Sequence, residues 1–331
     1  MPITPLSAHD ARDRHLHLVQ FDGLGLRFNR VTDRTVWHYT NIAGLNGILS
    51  TGSLWSSDYR YLNDASELTF GLEILEMVAA HDLEDAGLSP ELRREILMEI
   101  ALMKRSNMSM YVLTCSFCMR GNVLSQWRAY ARQDGIAIGF QKDLIEELAS
   151  NQGFTSGMVY YYWAQSQQDL PVERRFPAWL RKRVGLLLQR LAELERSAAA
   201  FDQAMDAGDE TVPFASLQQK GALIKTWCAE TAAFIKHPAF EEEQEWRCMK
   251  VIDETILIGE TQLEHRASGS RIVPYVRLDL RSQTVRDCAV RQLVIGPNAD
   301  GPATMHSAGF LTHRYDLPNV SISMPFQPLR P

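Results

Sequence analysis

The chain has 331 residues, of which 45% are hydrophobic and 22% charged, and its formal net charge at pH 7 is −6. This composition is typical of a globular protein that is long enough to bury a large core. The acidic balance disfavours a broad surface for nucleic acid or lipid, although it leaves a local basic channel for a polynucleotide open.

The N-terminal sequence MPITPLSAHD has no apolar core region and no small-residue cleavage pattern, and no stretch approaches the roughly 18 apolar residues of a membrane span. The five cysteines are scattered and odd in number, which suits a reducing compartment better than a disulfide framework. We therefore expect a cytoplasmic protein that does not contact a membrane. Cys115 and Cys118 have CxxC spacing, but without a second pair nearby they predict two buried thiols, and we expect no metal.

In chain order, residues 1–33 are mixed and polar and predict an N-terminal arm. The next part alternates apolar or β-branched runs, typical of strands, with segments of helical spacing. Strands are predicted at 35–41, after Gly52, at 110–117, at 135–140 and at 158–164. Helices are predicted at 42–49, from Asn63 or Asp64 onwards, from Pro90 with Ser89 as N-cap, at 122–133 and at 142–149.

From about 171 to 236 the sequence becomes helical. Two long amphipathic segments are separated by a polar break at 206–213 and predict a helical hairpin inserted into a β-rich body. Four further strands are predicted in EWRCMKVID, SRIVPYVRLDL, VRQLVIGP and VSISMPF. Because the polar break separates two helices and not two domains, we expect residues 34–331 to form a single domain.

The order of these elements decides the fold class. The strands are not separated by the regular crossover helices that a doubly wound parallel sheet requires, and neither GxGxxG nor GxxxxGK[ST] occurs. We therefore predict an α+β fold with a mainly antiparallel β-sheet core and helical insertions.

The first predicted strand contains Trp37-His38-Tyr39-Thr40, a candidate binding sequence. A histidine there can donate to a ligand hydroxyl or carbonyl, and Tyr39 offers a flat face for an aromatic ring. The alternative is a hydrogen-bonded strand histidine beside a core tyrosine.

Two further candidates follow. In Leu62-Asn63-Asp64 with Glu67, a capping box explains the polar residues without any ligand. In the other, Ser116 on a strand could hold a ribose or an amide. Trp127 and Tyr130 lie three apart on one predicted helix face, for which core packing and a stacking platform are competing interpretations. No GxSxG elbow occurs, so acyl transfer is not favoured.

The fourth candidate is the acidic sequence FEEEQEWRCMK at 240–250, which leads into an apolar strand. If the strand begins at Glu243, then Glu243, Glu245 and Arg247 share one face, and Trp246 and Cys248 take the other. Two carboxylates at a strand mouth can act as an acid–base or cation-stabilising pair, and Arg247 can hold one of them ionised by a bidentate contact. The alternative is a helix C-terminus with a solvated acidic face.

In this order the motifs resemble the bacterial domain-of-unknown-function family DUF2971. The resemblance spans about 35–326 and rests on a series of short motifs. They are His38-Tyr39-Thr40, Leu62-Asn63-Asp64 with Glu67, Ser116-Phe117, Trp127 with Tyr130, Gly135 to Phe140, Glu243 to Arg247, Ile295-Gly296-Pro297 and Ser323 to Phe326.

The motif order is also similar, more distantly, to that of the ADP-ribosyltransferases, which grip NAD⁺ in the cleft between the halves of a split antiparallel sheet. This resemblance implies that His38 contacts the nicotinamide ribose, that Ser116 lines the cleft and that Glu245 is the catalytic carboxylate. Glu243 would position or activate the acceptor. The implied catalytic residues are Glu245, Glu243 and His38, and the implied nucleotide contacts are His38, Tyr39, Thr40, Asn63, Asp64, Ser116, Trp127, Tyr130 and Arg247.

The resemblance therefore implies an NAD⁺-dependent ADP-ribosyltransferase or NAD⁺ glycohydrolase, acting in phage defence or as a toxin, with NAD⁺ as substrate and the acceptor left open. A fixed carboxylate would stabilise the oxocarbenium-like transition state. One rival hypothesis is a non-enzymatic ligand-sensing or interaction module that uses the helical hairpin as its partner surface. The other is a metal-dependent nucleic-acid enzyme with a carboxylate set of Asp64, Glu67, Glu243 and Glu245.

Overall fold

The structure is a computed structural model of the chain. It describes most of the chain outside the two termini. The described residues are 18–22, 25–29, 34–62, 66–81, 88–105, 110–131, 135–162, 176–206, 217–253, 263–281, 288–297, 300–317 and 319–324.

This part of the chain forms strands and helices in alternation. The strands are β1 (Leu18–Asp22), β2 (Gly25–Asn29), β3 (Thr35–Asn41), β4 (Ser53–Asp58), β5 (Met110–Cys118), β6 (Gly135–Gln141), β7 (Thr155–Met158), β8 (Tyr160–Tyr161), β9 (Ile235–Lys236), β10 (Glu245–Asp253), β11 (Glu264–Ser268), β12 (Arg271–Asp279), β13 (Val290–Ile295) and β14 (Ser321–Met324). The helices are α1 (Ile42–Thr51), α2 (Glu67–His81), α3 (Pro90–Arg105), α4 (Leu124–Gln126), α5 (Lys142–Asn151), α6 (Phe176–Asp206), α7 (Leu217–Ala233) and α8 (Gly301–Arg314).

Twelve of these strands form one sheet, in the order β11-β12-β4-β5-β3-β6-β13-β14-β1-β2; in addition, β10 pairs with β5 and β7 pairs with β10. Every pairing in it is antiparallel except that of β13 with β14. The short strands β8 and β9 pair separately and in parallel. The predicted α+β fold with a mainly antiparallel sheet is confirmed.

The sheet opens at β5. One edge of β5 pairs with β10 over nine residue pairs. The other edge meets β3 at the single pair Trp37↔Cys118 and meets β4 at Thr114 and Leu113. Between these junctions, residues 115–117 pair with neither β3 nor β4. The two halves of the sheet therefore separate beside this short stretch of β5, which we call the β3–β5 opening.

Helices cover both faces of the sheet. Helices α2, α3, α6 and α7 pack against one face around Trp227 and Met249. Helices α1, α5 and α8 contribute to a second core on the other face, which contains Trp246 and Phe140. Because α6 and α7 supply a large share of the first core, the predicted hairpin is part of the domain interior, and only its outer side is open to a partner.

Most predicted elements occur where the sequence indicates them. Helix α1 ends at Gly52, whose φ of 64° lies in the left-handed region that favours glycine. Helix α3 begins with the backbone N–H of Leu92 donating to the hydroxyl of Ser89, which is the predicted N-cap. None of the helices in the described ranges is both long and apolar enough to cross a bilayer.

Several elements differ from the prediction. Strands β1 and β2 lie within the predicted N-terminal arm, and β11 and α8 carry no signal that we identified. The predicted strand at 158–164 is interrupted at Val159, whose N–H donates to the carbonyl of Glu245. The predicted helix at 122–133 is a single turn, α4, followed by a π-helical turn at Trp127–Ala131.

Candidate functional site

The β3–β5 opening brings His38 to Ser116. The ring Nδ1 of His38 lies 3.1 Å from the main-chain oxygen of Ser116, in the stretch of β5 that pairs with neither β3 nor β4. A carbonyl oxygen only accepts, so Nδ1 carries the proton and Nε2 is an acceptor in the neutral ring. Burial lowers the pKa of His38 and keeps the ring neutral. The expectation that His38 donates to a ligand is corrected: its free nitrogen accepts.

Tyr39 and Thr40 follow His38 on β3 and have different environments. The Tyr39 hydroxyl donates to the carbonyl of Arg120 at 2.8 Å and accepts from the N–H of Val123 at 2.9 Å. Its ring is buried, and Trp127 packs edge-on at 4.8 Å between centroids. Tyr39 is therefore a core residue here and offers no open face. Thr40 is half-buried.

Trp127 and Tyr130 do not share a face. Trp127 is buried and donates from its indole nitrogen to Asn122, whereas Tyr130 is 41% exposed. The π-helical turn is wider than an α-helical turn, so residues three apart no longer align. The interpretation of this pair as one stacking platform is wrong because Trp127 is fixed in the small core around Tyr39.

Ser116 also links the opening to Glu245. A hydrogen bond from the Ser116 side chain helps to lower the pKa of the Glu245 carboxyl group. Ser116 thus accepts from His38 through its main chain, and its side chain lies on the same face of the sheet as Glu245, because Ser116 pairs with Arg247 and Cys118 pairs with Glu245. Trp37 also pairs with Cys118, so the side chain of the next residue, His38, approaches the opening from the other face.

Glu245 belongs to a cluster of ionised side chains, which we call the Lys236 cluster. The Lys236 ammonium lies 2.7 Å from Glu67, 2.7 Å from Glu243 and 3.1 Å from Glu245. Its side chain is 5% exposed, and the ring of Phe240 lies 4.8 Å away. The cluster joins the start of α2, β9 and the start of β10.

Arg247 completes the Lys236 cluster. Its Nε donates to Glu245 at 2.7 Å, its Nη2 to Glu67 at 2.9 Å and its Nη1 to the carbonyl of Ala233. The sequence predicts a bidentate contact of Arg247 with one carboxylate, but Arg247 bridges the two carboxylates of Glu245 and Glu67. Since Arg247 is buried with its guanidinium committed on three sides, it positions Glu245 and cannot contact a nucleotide as predicted.

The alternation of β10 is as predicted from Glu245 onwards only. Glu245 and Arg247 lie on one face, while Trp246 and Cys248 enter the opposite core. Glu243 ends a 3-10 turn, and Gln244 has a φ of 42°, so the strand cannot extend back to Glu243. Glu243 reaches the cluster through Lys236 instead.

Burial and neighbouring charges shift the pKa values of the two glutamates Glu243 and Glu245 in opposite directions. Burial would raise the pKa of Glu245, but the charges of Arg247 and Lys236 outweigh it, and the pKa falls to about 2. For Glu243, burial is the larger effect and the pKa is raised. At neutral pH, Glu245 is therefore a fixed carboxylate with two cations beside it.

Glu67 does more than the predicted capping box suggests. It is the first residue of α2, and its two carboxylate oxygens contact Lys236 and Arg247. The predicted contacts Asn63 and Asp64 lie outside the described residues. Of the carboxylates proposed as a metal set, Glu67, Glu243 and Glu245 are described, and they converge on an ammonium and a guanidinium. The described His, Cys, Asp and Glu residues form no group arranged to hold a metal ion.

Two members of the site were missed. Lys236 follows the apolar run AAFI, where a lone lysine in a buried segment implies paired carboxylates. The Tyr161 hydroxyl accepts from the Glu245 N–H at 2.9 Å, and burial raises its pKa. Tyr161 lies in a run of three tyrosines, and nothing in that run distinguishes it.

Comparison with known proteins gives a partial assignment. Neither the curated proteins nor the solved structures include a match to this chain, and no comparison links it to the ADP-ribosyltransferases. A family model does match part of the chain, from α4 to the buried start of β10. That part contains Lys236, Glu243, Glu245 and Arg247, but not His38 or Ser116. Over residues 126–248 the chain is therefore similar to the family described as "Protein of unknown function (DUF2971)".

Proposed function

We propose that the chain binds NAD⁺ or a related nucleotide at the β3–β5 opening and cleaves the nicotinamide–ribose bond, as an ADP-ribosyltransferase or an NAD⁺ glycohydrolase. One observation carries the proposal: where the two halves of the sheet separate, Ser116 accepts from His38 and presents its side chain on the face of Glu245. A histidine acceptor, a serine hydroxyl and an ionised carboxylate are suited to the hydroxyls and the developing charge of a ribose.

The electrostatics of Glu245 fit this reaction. Breaking the bond between nicotinamide and ribose builds positive charge on the sugar, which a fixed anion stabilises. With a pKa of about 2, Glu245 remains ionised at any physiological pH. The His38 Nε2 would accept from a ribose hydroxyl and orient the sugar.

The Lys236 ammonium sets a condition on catalysis. Glu245 is 3% exposed, and one of its oxygens is held by Lys236 and the other by Arg247. The ribosyl cation must therefore take the place of Lys236 beside the carboxylate, while Arg247 stays to hold the carboxylate in position.

The same pairing favours a second candidate function. A carboxylate that is fully paired and buried also fits a ligand-sensing or interaction module that keeps the fold without catalysis. In that case the β3–β5 opening would bind a nucleotide without cleaving it.

Nicotinamide release separates the two candidates. Wild-type protein is incubated with NAD⁺, with and without cell extract to supply an acceptor, beside Glu245→Gln and the control Glu264→Gln. Glu264 is also paired with an arginine but is 38% exposed. We expect release by wild type and Glu264→Gln and a loss of at least about 100-fold in Glu245→Gln, the scale of a missing transition-state charge contact. Binding of NAD⁺ without release in any sample would support the module and contradict the enzyme.

A further inference from the structure

An exposed tryptophan lies on the same face of the sheet as Ser116. Directly paired residues of antiparallel strands point to the same side, and Ser57 of β4 pairs with Thr114 of β5. Ser116 is two residues beyond Thr114, and Trp55 is two residues before Ser57, so all four share one face. Trp55 is 43% exposed, whereas most residues of β4 are buried.

Arg266 of β11 stacks on this tryptophan. Its guanidinium carbon lies 5.5 Å from the centre of the Trp55 ring, and its Nη2 donates to the Ser57 hydroxyl at 3.2 Å. The Tyr275 ring of β12 lies 5.0 Å from Trp55 at an angle of 39°. The indole therefore packs against two neighbours, and 43% of Trp55 is still exposed.

The charge of Arg266 is not neutralised in the described part of the chain. Its Nε is buried without a hydrogen-bond partner, and none of the ion pairs found there includes it. The neighbouring Arg277, by contrast, is paired with Glu264 at 2.7 Å. A cation left without a carboxylate beside an open aromatic ring matches a ligand that carries both an aromatic base and a phosphate.

A buried hydroxyl connects this patch to the proposed site. Thr114 is 4% exposed, and its Oγ1 has no hydrogen-bond partner. It lies between Ser57, which Arg266 contacts, and Ser116, which contacts Glu245. Polar groups thus continue across the face from β11 to β10, over strand spacings of about 4.8 Å each.

We propose that Trp55 and Arg266 bind the purine and the phosphate of a nucleotide. The base would stack on the Trp55 indole, and Arg266 would bind the phosphate. This deepens the proposed function and rests on it: the same ligand would place its ribosyl–nicotinamide end at Ser116 and Glu245. The geometry thus gives the adenylate half of NAD⁺ its own subsite.

Calorimetric titration with AMP tests the subsite without the reaction. The variants are Trp55→Ala, Trp55→Phe, Arg266→Gln and Arg266→Lys, with Ile272→Ala as control. Ile272 is 70% exposed on the neighbouring strand β12 and, by alternation from Tyr275, lies on the opposite face. Loss of stacking should weaken AMP binding about 10- to 100-fold. Trp55→Phe and Arg266→Lys should each retain part of the affinity for AMP.

The outcomes separate the subsite from the catalytic proposal. AMP binding that is lost in Trp55→Ala and Arg266→Gln, and kept in Ile272→Ala and Glu245→Gln, supports the subsite even if no nicotinamide is ever released. Absence of AMP binding by wild type overturns it. If the wild type releases nicotinamide and Trp55→Ala has the same KM for NAD⁺ as the wild type, the subsite is overturned and the proposed reaction stands.

Discussion

Arg247 donates from Nε to the Oε1 of Glu245 at 2.7 Å, and the two side chains are 5% and 4% exposed. Arg277 donates from Nε to Glu264 at the same distance, but there the side chains are 46% and 38% exposed. The two contacts have the same donor atom and length, but the pairs differ in burial and in geometry, because the Nη2 of Arg277 also donates to Glu264 whereas the Nη2 of Arg247 donates to Glu67. The second hydrogen bond should favour the exposed pair, so a larger loss on breaking the buried pair would be due to its surroundings.

Arg247→Met should lower the free energy of unfolding at pH 7 by about 3 kcal/mol or more, because it leaves buried carboxylates with one cation fewer. Arg277→Met should change it far less, since water screens an exposed pair. Urea unfolding of both variants measures the difference. Similar losses in the two variants would show that burial does not decide the strength of these pairs.

Acid should lower the free energy of unfolding because it protonates Glu245. Its pKa in the folded state is about 2, below the usual 4.5, so the ionised form stabilises the fold above pH 4.5. That stabilisation, about 3 kcal/mol, is lost as the pH falls from 4.5 towards 2. Glu245→Gln has no such proton to bind and should lose less stability over this range. Urea midpoints at about pH 5 and pH 3 measure it, and equal declines would contradict the assignment to Glu245.

Gly71 allows close approach of α2 and α7. A Cβ at this position would overlap the main-chain carbonyl of Ala232, whereas one at Gly221 of α7 would meet nothing within 4 Å. Gly71→Ala should therefore destabilise by about 1–3 kcal/mol, and Gly221→Ala should stabilise by about 0.5–1 kcal/mol through helix propensity. Because α2 begins at Glu67, Gly71→Ala should also disturb the contact of Glu67 with Lys236. Equal changes in urea midpoint would rule out a steric cause.

Local patterns of the sequence predict most of the strands and, within the site, the shared face of Glu245 and Arg247. The period of two along a strand separates Glu245 and Arg247 from Trp246 and Cys248 because it depends only on backbone geometry. The period fails at Glu243, since the left-handed conformation of Gln244 ends the strand and glutamine carries no signal for it. Glu243 lies at the end of the preceding turn and contacts Lys236 from there.

Long-range pairing is what the sequence does not reveal. Glu67 and Arg247 are 180 residues apart, and the capping pattern around Glu67 offers a sufficient local explanation for its presence. Lys236 is equally ambiguous until β9 brings it beside β10. Patterns of three or four residues identify the faces of elements, whereas the partners across the cluster depend on the order of strands in the sheet.

The His38 ring should have one defined neutral tautomer. Its contact with the Ser116 carbonyl fixes the proton on Nδ1, and burial lowers its pKa below the ordinary 6.5. Two-dimensional ¹H–¹⁵N spectra of the imidazole groups should show a neutral ring protonated at Nδ1, with a titration midpoint below 6.5. His38→Gln identifies the signal by its disappearance. A ring protonated at Nε2, or one that titrates above 6.5, would present a donor to the β3–β5 opening and contradict the role of His38 as acceptor for a ribose hydroxyl.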